Sequence, residues 1–439
     1  MKFFKGKFLK QKTLKLLANL QLAIILLILI GIVISVGTFI EQDQSLTFYK
    51  ENYPETNPLF GFLSWKIITF LALDHLYTAW WFLLILVLFA SSLLSCTFTN
   101  QIPSIKTLKI WKFYKRPTQF NKLSVQNNLK LGLVNTFAYH CNNTNYHFFR
   151  QEKKGYAYSG LLGRVAPVMV HVSIVVLLTG SSIGSFGGYI AQELVPRGEI
   201  VHIQNLTKFG SLSSIPQNIS CRINDFWITY TKEQKTDQFY SDLSVINEEG
   251  KELKRKIVFV NEPLIFNELV IYQTDWDIVG LKIRLPDDSV FQVPFKKVTK
   301  NGSKFWLGSI PINKETGKKL SILKNNLNDT ISIYDEKGIL LQESTIGDSI
   351  LIEDGIKLQF VEFITSTGLQ IKSDPGIFTV YLSFLLLMVS IYVSFFTYSQ
   401  IWLVETIKDI AIGGQSNRAV LFFQEEFRKI WKRTIKTVS

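Results

Sequence analysis

Four stretches, 20–40, 79–96, 165–183 and 377–396, are overwhelmingly apolar and contain no Asp, Glu, Lys or Arg. Each is 18 to 21 residues long, which at 1.5 Å per helical residue suffices to cross a hydrocarbon core ~30 Å thick. A backbone inside that core must satisfy its own hydrogen bonds, so each stretch is expected to be a helix. Four crossings return the chain to the side on which it started.

The net charge of +13 would suggest a nucleic-acid partner in a soluble protein. Its distribution says otherwise. Residues 189–375 hold 22 Lys and Arg against 25 Asp and Glu, so the excess lies beside the apolar stretches. Six lysines from Lys2 to Lys15 precede the first. Lys106, Lys109, Lys112, Lys115, Arg116, Lys153, Lys154 and Arg164 lie between the second and third, and Lys408, Arg418, Arg428, Lys429, Lys432 and Arg433 follow the fourth. With four crossings all three groups fall on one side, the cytoplasmic one by the positive-inside rule, and both termini with them. No separate basic fold or aromatic reading surface appears, so no nucleic acid is expected.

This reading divides the chain into a first hairpin (1–98), an inner loop (99–163), a third span (164–188), an outer domain (189–375), a fourth span (376–398) and an inner tail (399–439). The outer domain shows short alternating runs separated by turn signals at Asn247–Gly250, Asp335–Gly338 and Asp354–Gly355, the pattern of a sandwich or incomplete barrel. The fold class expected is therefore membrane α-helical, with four transmembrane helices and a large all-β domain between the third and fourth. The tail reads as an amphipathic surface helix interrupted by a turn at Gly413–Arg418.

The chemistry-bearing residues are few. His171 lies within the third apolar stretch, where an ionisable group usually faces a bundle interior, a cavity or a cofactor. A neutral imidazole tolerates that depth and is also a metal ligand; equally, it serves as a hydrogen-bond partner for a neighbouring helix. Helical steps of 100° place Arg164, Pro167, Val175, Leu178 and Ser182 on its face, while Gly180, Gly184 and Gly188 form a small-residue ridge opposite. Arg164, at the membrane edge, suits a carboxylate partner as well as a topology anchor. His75 stands beside Asp74 at the outer end of the second stretch. His140 and His147 in the inner loop lack a second close ligand pair for zinc, and His202 reads as a surface residue.

Three cysteines (Cys96, Cys141, Cys221) make no C-x-x-C, and the outer domain holds only Cys221, so neither a thioredoxin-like site nor a disulfide within that domain is expected. No Gly-rich phosphate loop, G-x-S-x-G elbow or H-E-x-x-H occurs. The Lys-rich N-terminus runs into a long apolar stretch without a small-residue cleavage site, which is not a cleavable-signal pattern.

Taken in order, several short motifs resemble the CcsB (ResB-type) family of system II cytochrome c maturation, in its plastid and cyanobacterial form. They are Gly37-Thr38 with Gln42; Leu73-Asp74-His75-Leu76-Tyr77 with Trp80-Trp81-Phe82 and Cys96; His171; Asn261-Glu262-Pro263-Leu264 with Tyr272-Gln273; Asp374-Pro375-Gly376; and Gly413-Gly414-Gln415-Ser416-Asn417-Arg418-Ala419. The resemblance implies a multi-pass plastid thylakoid protein with stromal termini, or its counterpart in a bacterial inner or thylakoid membrane. It also implies a complex with the heme-handling subunit CcsA, and delivery of heme for attachment to apocytochrome c on the lumenal side. Heme b would be bound transiently and shared with the partner. His171 would be an axial ligand to its iron, Arg164 and His75 would be further contacts, and catalytic residues would be absent. The Trp-rich heme motif of CcsA is absent here, so the chain is not expected to be an enzyme on its own. Two other readings stay open: a b-type heme electron carrier, which normally needs two ligands per heme from its own spans, and a non-heme scaffold or sensor.

Overall fold

The computed structural model describes residues 12–437 except 109–112, 232–235, 301–302, 312–318, 326–329, 336 and 352–356. Lys2, Lys5, Lys7, Lys10, Lys109, Lys112 and the Asp354–Gly355 turn lie outside the described residues. Four helices are long and apolar enough to cross a membrane: Leu20–Phe39, Trp80–Lys106, Ala166–Gly187 and Ile377–Ser394. The chain separates into two units, 1–182 with 376–439, and 183–375.

In the first unit, the helices Leu20–Phe39 and Trp80–Cys96 share a core that includes Leu26, Ile30, Phe82, Phe89 and Leu93. Ile174, Val175 and Leu178 of the third span pack against it. The outer connection between the first two helices is pinned by Gln42. Its amide donates to the carbonyls of Ile40 (2.9 Å) and Leu73 (2.9 Å), and its oxygen accepts from the Leu76 backbone N–H (3.0 Å). Gly37 leaves room for the Leu76 side chain, which would stand 2.3 Å from any Cβ added there. The Gly37…Gln42 and Leu73–Tyr77 motifs are thus two halves of one packing arrangement, and His75 is what that arrangement leaves facing out.

The segments 113–159 and 399–437 differ from the loop and surface helix expected. Five strands, Val125–Leu129, Ile410–Ser416, Ser399–Glu405, Lys154–Ser159 and His147–Gln151, form one antiparallel sheet in that spatial order. The helices Val134–Asn143 and Val420–Lys436 close one face through Phe137, Cys141, Phe423, Phe427 and Ile430. The other face carries aromatic side chains, with Tyr114 stacked on Trp402 at 4.6 Å. Gly413 and Gly414 are strand residues rather than a turn. A Cβ on Gly414 would meet the Phe423 ring at 2.6 Å, so the glycine lets the terminal helix lie close on the sheet. A Gly-Gly pair reads as a turn in sequence because the helix that requires the missing side chains is itself seven residues further on.

The second unit is all-β among its described residues beyond Gly187, where the third helix ends. A four-stranded sheet containing Ile219–Tyr230, Thr236–Asn247 and Glu252–Phe259 lies on part of a larger sheet. Ile223, Leu243, Val245 and Val258 of the former meet Ala191, Ile271, Leu369 and Ile371 of the latter, as in a sandwich. Beyond that point the larger sheet curls round a second core of its own, including Ile283, Val293, Ile322, Ile333 and Phe360. Two long antiparallel strands, Leu269–Arg284 and Lys357–Ser373, run through both cores.

Between the facing sheets sits one buried amide, Gln273. Its nitrogen donates to the carbonyls of Phe239 (3.1 Å) and Val258 (3.0 Å), and its oxygen accepts from Ser241 Oγ (2.9 Å) and Thr367 Oγ1 (3.3 Å). Gln273→Leu keeps the shape but strands these partners in an apolar layer. Leaving buried polar groups unpaired costs ~1–3 kcal/mol each, so we expect the variant to lose about 3 kcal/mol, read as earlier urea unfolding and faster proteolysis in detergent. An unchanged midpoint would mean that water replaces the amide.

Candidate functional site

His171 is the sixth residue of the helix Ala166–Gly187, about 8 Å of helix from its start. Its ring meets the far end of the second helix, where the α-helical path gives way to a π-helical turn, Thr97–Gln101. Such turns insert a residue and re-aim the side chains around them. Here they bring two polar groups to the imidazole: Thr97 Oγ1 is 3.0 Å from Nδ1, and the Gln101 amide nitrogen is 3.2 Å from both ring nitrogens. Neither Thr97 nor Gln101 was legible as a site residue. A π-helical turn has no composition of its own, and a threonine and a glutamine at a membrane edge look like ordinary interfacial polars.

Arg164 belongs to a separate short turn, Leu161–Arg164, that precedes the third helix, so the 100° periodicity does not extend to it. Its guanidinium lies over the Tyr398 ring, 4.8 Å from the centroid, and Nη1 reaches Ser104 Oγ at 3.4 Å. Its Nε is buried and without a hydrogen-bond partner. Tyr398 is held in turn by Tyr156 (O–O 3.1 Å), which accepts from the Gln400 amide (2.7 Å). A cation stacked on an aromatic face, with an unfilled donor, is equipped to take an anionic oxygen.

His75 lies elsewhere. It is half-exposed at the opposite end of the second helix, with Nδ1 2.9 Å from Asp74 Oδ1. The 17 residues of Trp80–Cys96 put about 25 Å of helix between its level and that of Thr97. His75 and His171 are therefore not two ligands of one small site. The glycine ridge does pack as its spacing suggested. A Cβ on Gly180 would stand 3.0 Å from Thr379 and from the Val380 nitrogen of the fourth helix, and one on Gly184 would stand 2.4 Å from Asp374.

Among the described residues no cluster of three or more His, Cys, Asp or Glu is placed to hold a metal ion. Burial pushes the Cys221 thiol up to about 12 and raises Cys141 as well, so neither supplies a thiolate near neutral pH.

The sequence model of the ResB-like family matches residues 20–315 and 291–428. The chain belongs to the ResB-like family. It is 52% identical over 435 residues to the cytochrome c biogenesis protein Ccs1 of Emiliania huxleyi, covering 99% of both chains. It is 45% identical to Ccs1 of Thalassiosira pseudonana, over 97% of this chain and 100% of that one. Against the cytochrome c biogenesis protein CcsB of Trichormus variabilis it is 43% identical, over 98% of this chain and 94% of the relative. These near-complete alignments take in both units of this ResB-like chain, and its apolar helices make it a membrane protein.

Proposed function

We propose that this chain is the ResB-type subunit of a cytochrome c maturation complex, working with CcsA to carry heme across the membrane and present it to apocytochrome c. The names of its relatives support the process. The observation that carries the mechanism is His171, an imidazole set inside a membrane-crossing helix and oriented by polar groups from a second helix. One axial position on the iron would be filled by His171. The other would come from the partner, since His75 lies at the opposite end of the second helix. Arg164, its guanidinium stacked on Tyr398 at the membrane edge, would hold a heme propionate.

Heme is the cargo here, and its iron supplies the affinity for imidazole. What the protein's own residues do is bind, orient and release. His75, exposed at the other end of the second helix beside Asp74, would meet the heme or the partner on the lumenal side. The β domain would lie on that side, between the third and fourth spans, and would dock the apocytochrome through strand edges and loops. The membrane would be the thylakoid and the termini stromal, a reading supported by the plastid and cyanobacterial relatives and by the basic segments flanking the apolar stretches. The test of heme handling is the visible spectrum of the complex purified with CcsA, with and without His171.

One observation favours a second reading, a non-heme scaffold. His171 already has hydrogen-bonding neighbours in Thr97 and Gln101, which a purely structural histidine also would have. The same spectrum separates the two.

Sidedness has its own test. A protease site inserted at Gly250, in an exposed turn of the β domain, is expected to be cut only from the lumenal face of sealed vesicles. One following Lys436 is expected to be cut only from the stromal face. Cleavage of both from the same face would break the four-crossing arrangement.

A further inference from the structure

The hydrogen-bond geometry around His171 favours one of its two nitrogens as the free one. The Thr97 hydroxyl has one proton, and 2.8 Å away stands the Leu93 carbonyl, which can only accept. Its other neighbour, Gln101 Oε1 at 3.4 Å, is also an acceptor. Whichever of these takes the proton, the Thr97 oxygen turns lone pairs toward His171 Nδ1, 3.0 Å away. That contact is a hydrogen bond only if Nδ1 carries hydrogen. A neutral imidazole protonated at Nδ1 has its free lone pair at Nε2.

The Gln101 amide completes the arrangement. Its nitrogen is 3.2 Å from both Nδ1 and Nε2. A donor aligned in the ring plane on one nitrogen's lone pair would be much farther from the other. Equal distances instead place the amide over the ring, so the in-plane approach to Nε2 is not taken by Gln101.

We propose that Thr97 is a positioning residue that holds His171 as the Nδ1–H tautomer, so that Nε2 is presented as the ligand atom, with Gln101 laid over the ring to keep it from turning. Both residues come from the π-helical turn, which gives that irregular segment a task. A metal-ligating histidine whose other nitrogen donates a hydrogen bond is fixed in orientation and made more basic. The part concerning iron rests on the heme reading of His171; the tautomer itself does not.

The experiment is therefore arranged in two steps. In the first, full-length protein in lipid nanodiscs, selectively labelled with ¹⁵N-histidine and free of heme, gives the His171 ring-nitrogen shifts, assigned by their loss in His171→Gln. The expected pattern is a protonated Nδ1 and a bare Nε2. Thr97→Ser retains the acceptor and the pattern; Thr97→Val keeps the shape without the acceptor and shifts His171 toward the Nε2–H form. If Thr97→Val does not accumulate, Thr97→Ala carries the same expectation. A wild-type ring protonated at Nε2, or a Thr97 variant lacking the hydroxyl that leaves the pattern unchanged, overturns the proposal. In the second step the complex with CcsA is titrated with heme. Thr97→Val is expected to weaken binding about 10–100-fold, with Thr97→Ser close to wild type. A wild-type complex whose heme spectrum is indifferent to His171 refutes the heme reading and leaves the tautomer result standing on its own measurement.

Discussion

His171→Gln is expected to accumulate in the membrane with its partner, lose the low-spin heme spectrum of the complex and fail to mature cytochrome c. Glutamine keeps polarity and approximate size while offering the iron a poor ligand. It can still reach toward Thr97 and Gln101, the neighbours of the imidazole. That makes it a sharper probe than His171→Ala, which removes ligation and also opens a cavity costing stability in its own right. Losing a group that hydrogen-bonds a metal ligand costs ~10–100-fold in metal affinity, and loss of the ligand itself should exceed that. External imidazole is expected to restore part of both spectrum and maturation by filling the vacated coordination position. A Gln variant that matures cytochrome c normally would remove His171 from the mechanism and leave it a structural hydrogen-bond partner.

The second large effect concerns shape alone. Gly163 precedes Arg164, and a Cβ added there would stand 1.7 Å from the Phe396 carbonyl oxygen. Gly160, at the start of the same turn, combines φ of +72° with a Cβ position 1.9 Å from the Thr397 carbonyl oxygen. Both clashes are with backbone, which cannot rotate aside as a side chain does. Gly163→Ala must therefore push the entry of the third span away from the exit of the fourth, at ~3 kcal/mol or more. It would also disturb the Arg164–Tyr398 stack. We expect the variant to be degraded or to run as an unfolded species in detergent, whereas Gly31→Ala, with open space around its Cβ position and a place within the helix Leu20–Phe39, stays near wild type in amount, as measured by quantitative immunoblot of membranes. Equal accumulation of Gly163→Ala would mean that the two chain segments are not in contact in the membrane.

What could be read without coordinates was whatever the solvent dictates. A bilayer requires length and the absence of charge, so the four helices, the His171 helix among them, followed from the clustering of apolar residues, while the second and third run on past the expected 96 and 183. Alternation between polar and apolar residues likewise exposed the β character of the outer region. The inner sheet escaped because its strands are short and its central pair, Ser399–Glu405 and Ile410–Ser416, is buried on both faces; continuous apolar runs carry no period. For the site, His171 was visible because a histidine in an apolar run is unusual. Its orientation was not, since it depends on an inserted residue in another helix more than 70 positions away. Arg164 was legible as a cation, but its place over Tyr398 depends on a pairing across more than 230 residues.

The inner sheet has a consequence for how the chain is made. Its edge strands and Lys154–Ser159 emerge before the third span, and the two strands that complete it only after the fourth. Translation at ~5–20 residues per second leaves the early strands without their partners for roughly 10–50 s. During that time their unpaired backbone edges are open to wrong partners. Reaching the strands at 399–416 is what ends that exposure, so those residues act as a seal on the segments around 125–159. Truncation just before Ser399 would leave a protein with all four long apolar helices present and this sheet unfinished, and thus distinguishable by its protease sensitivity.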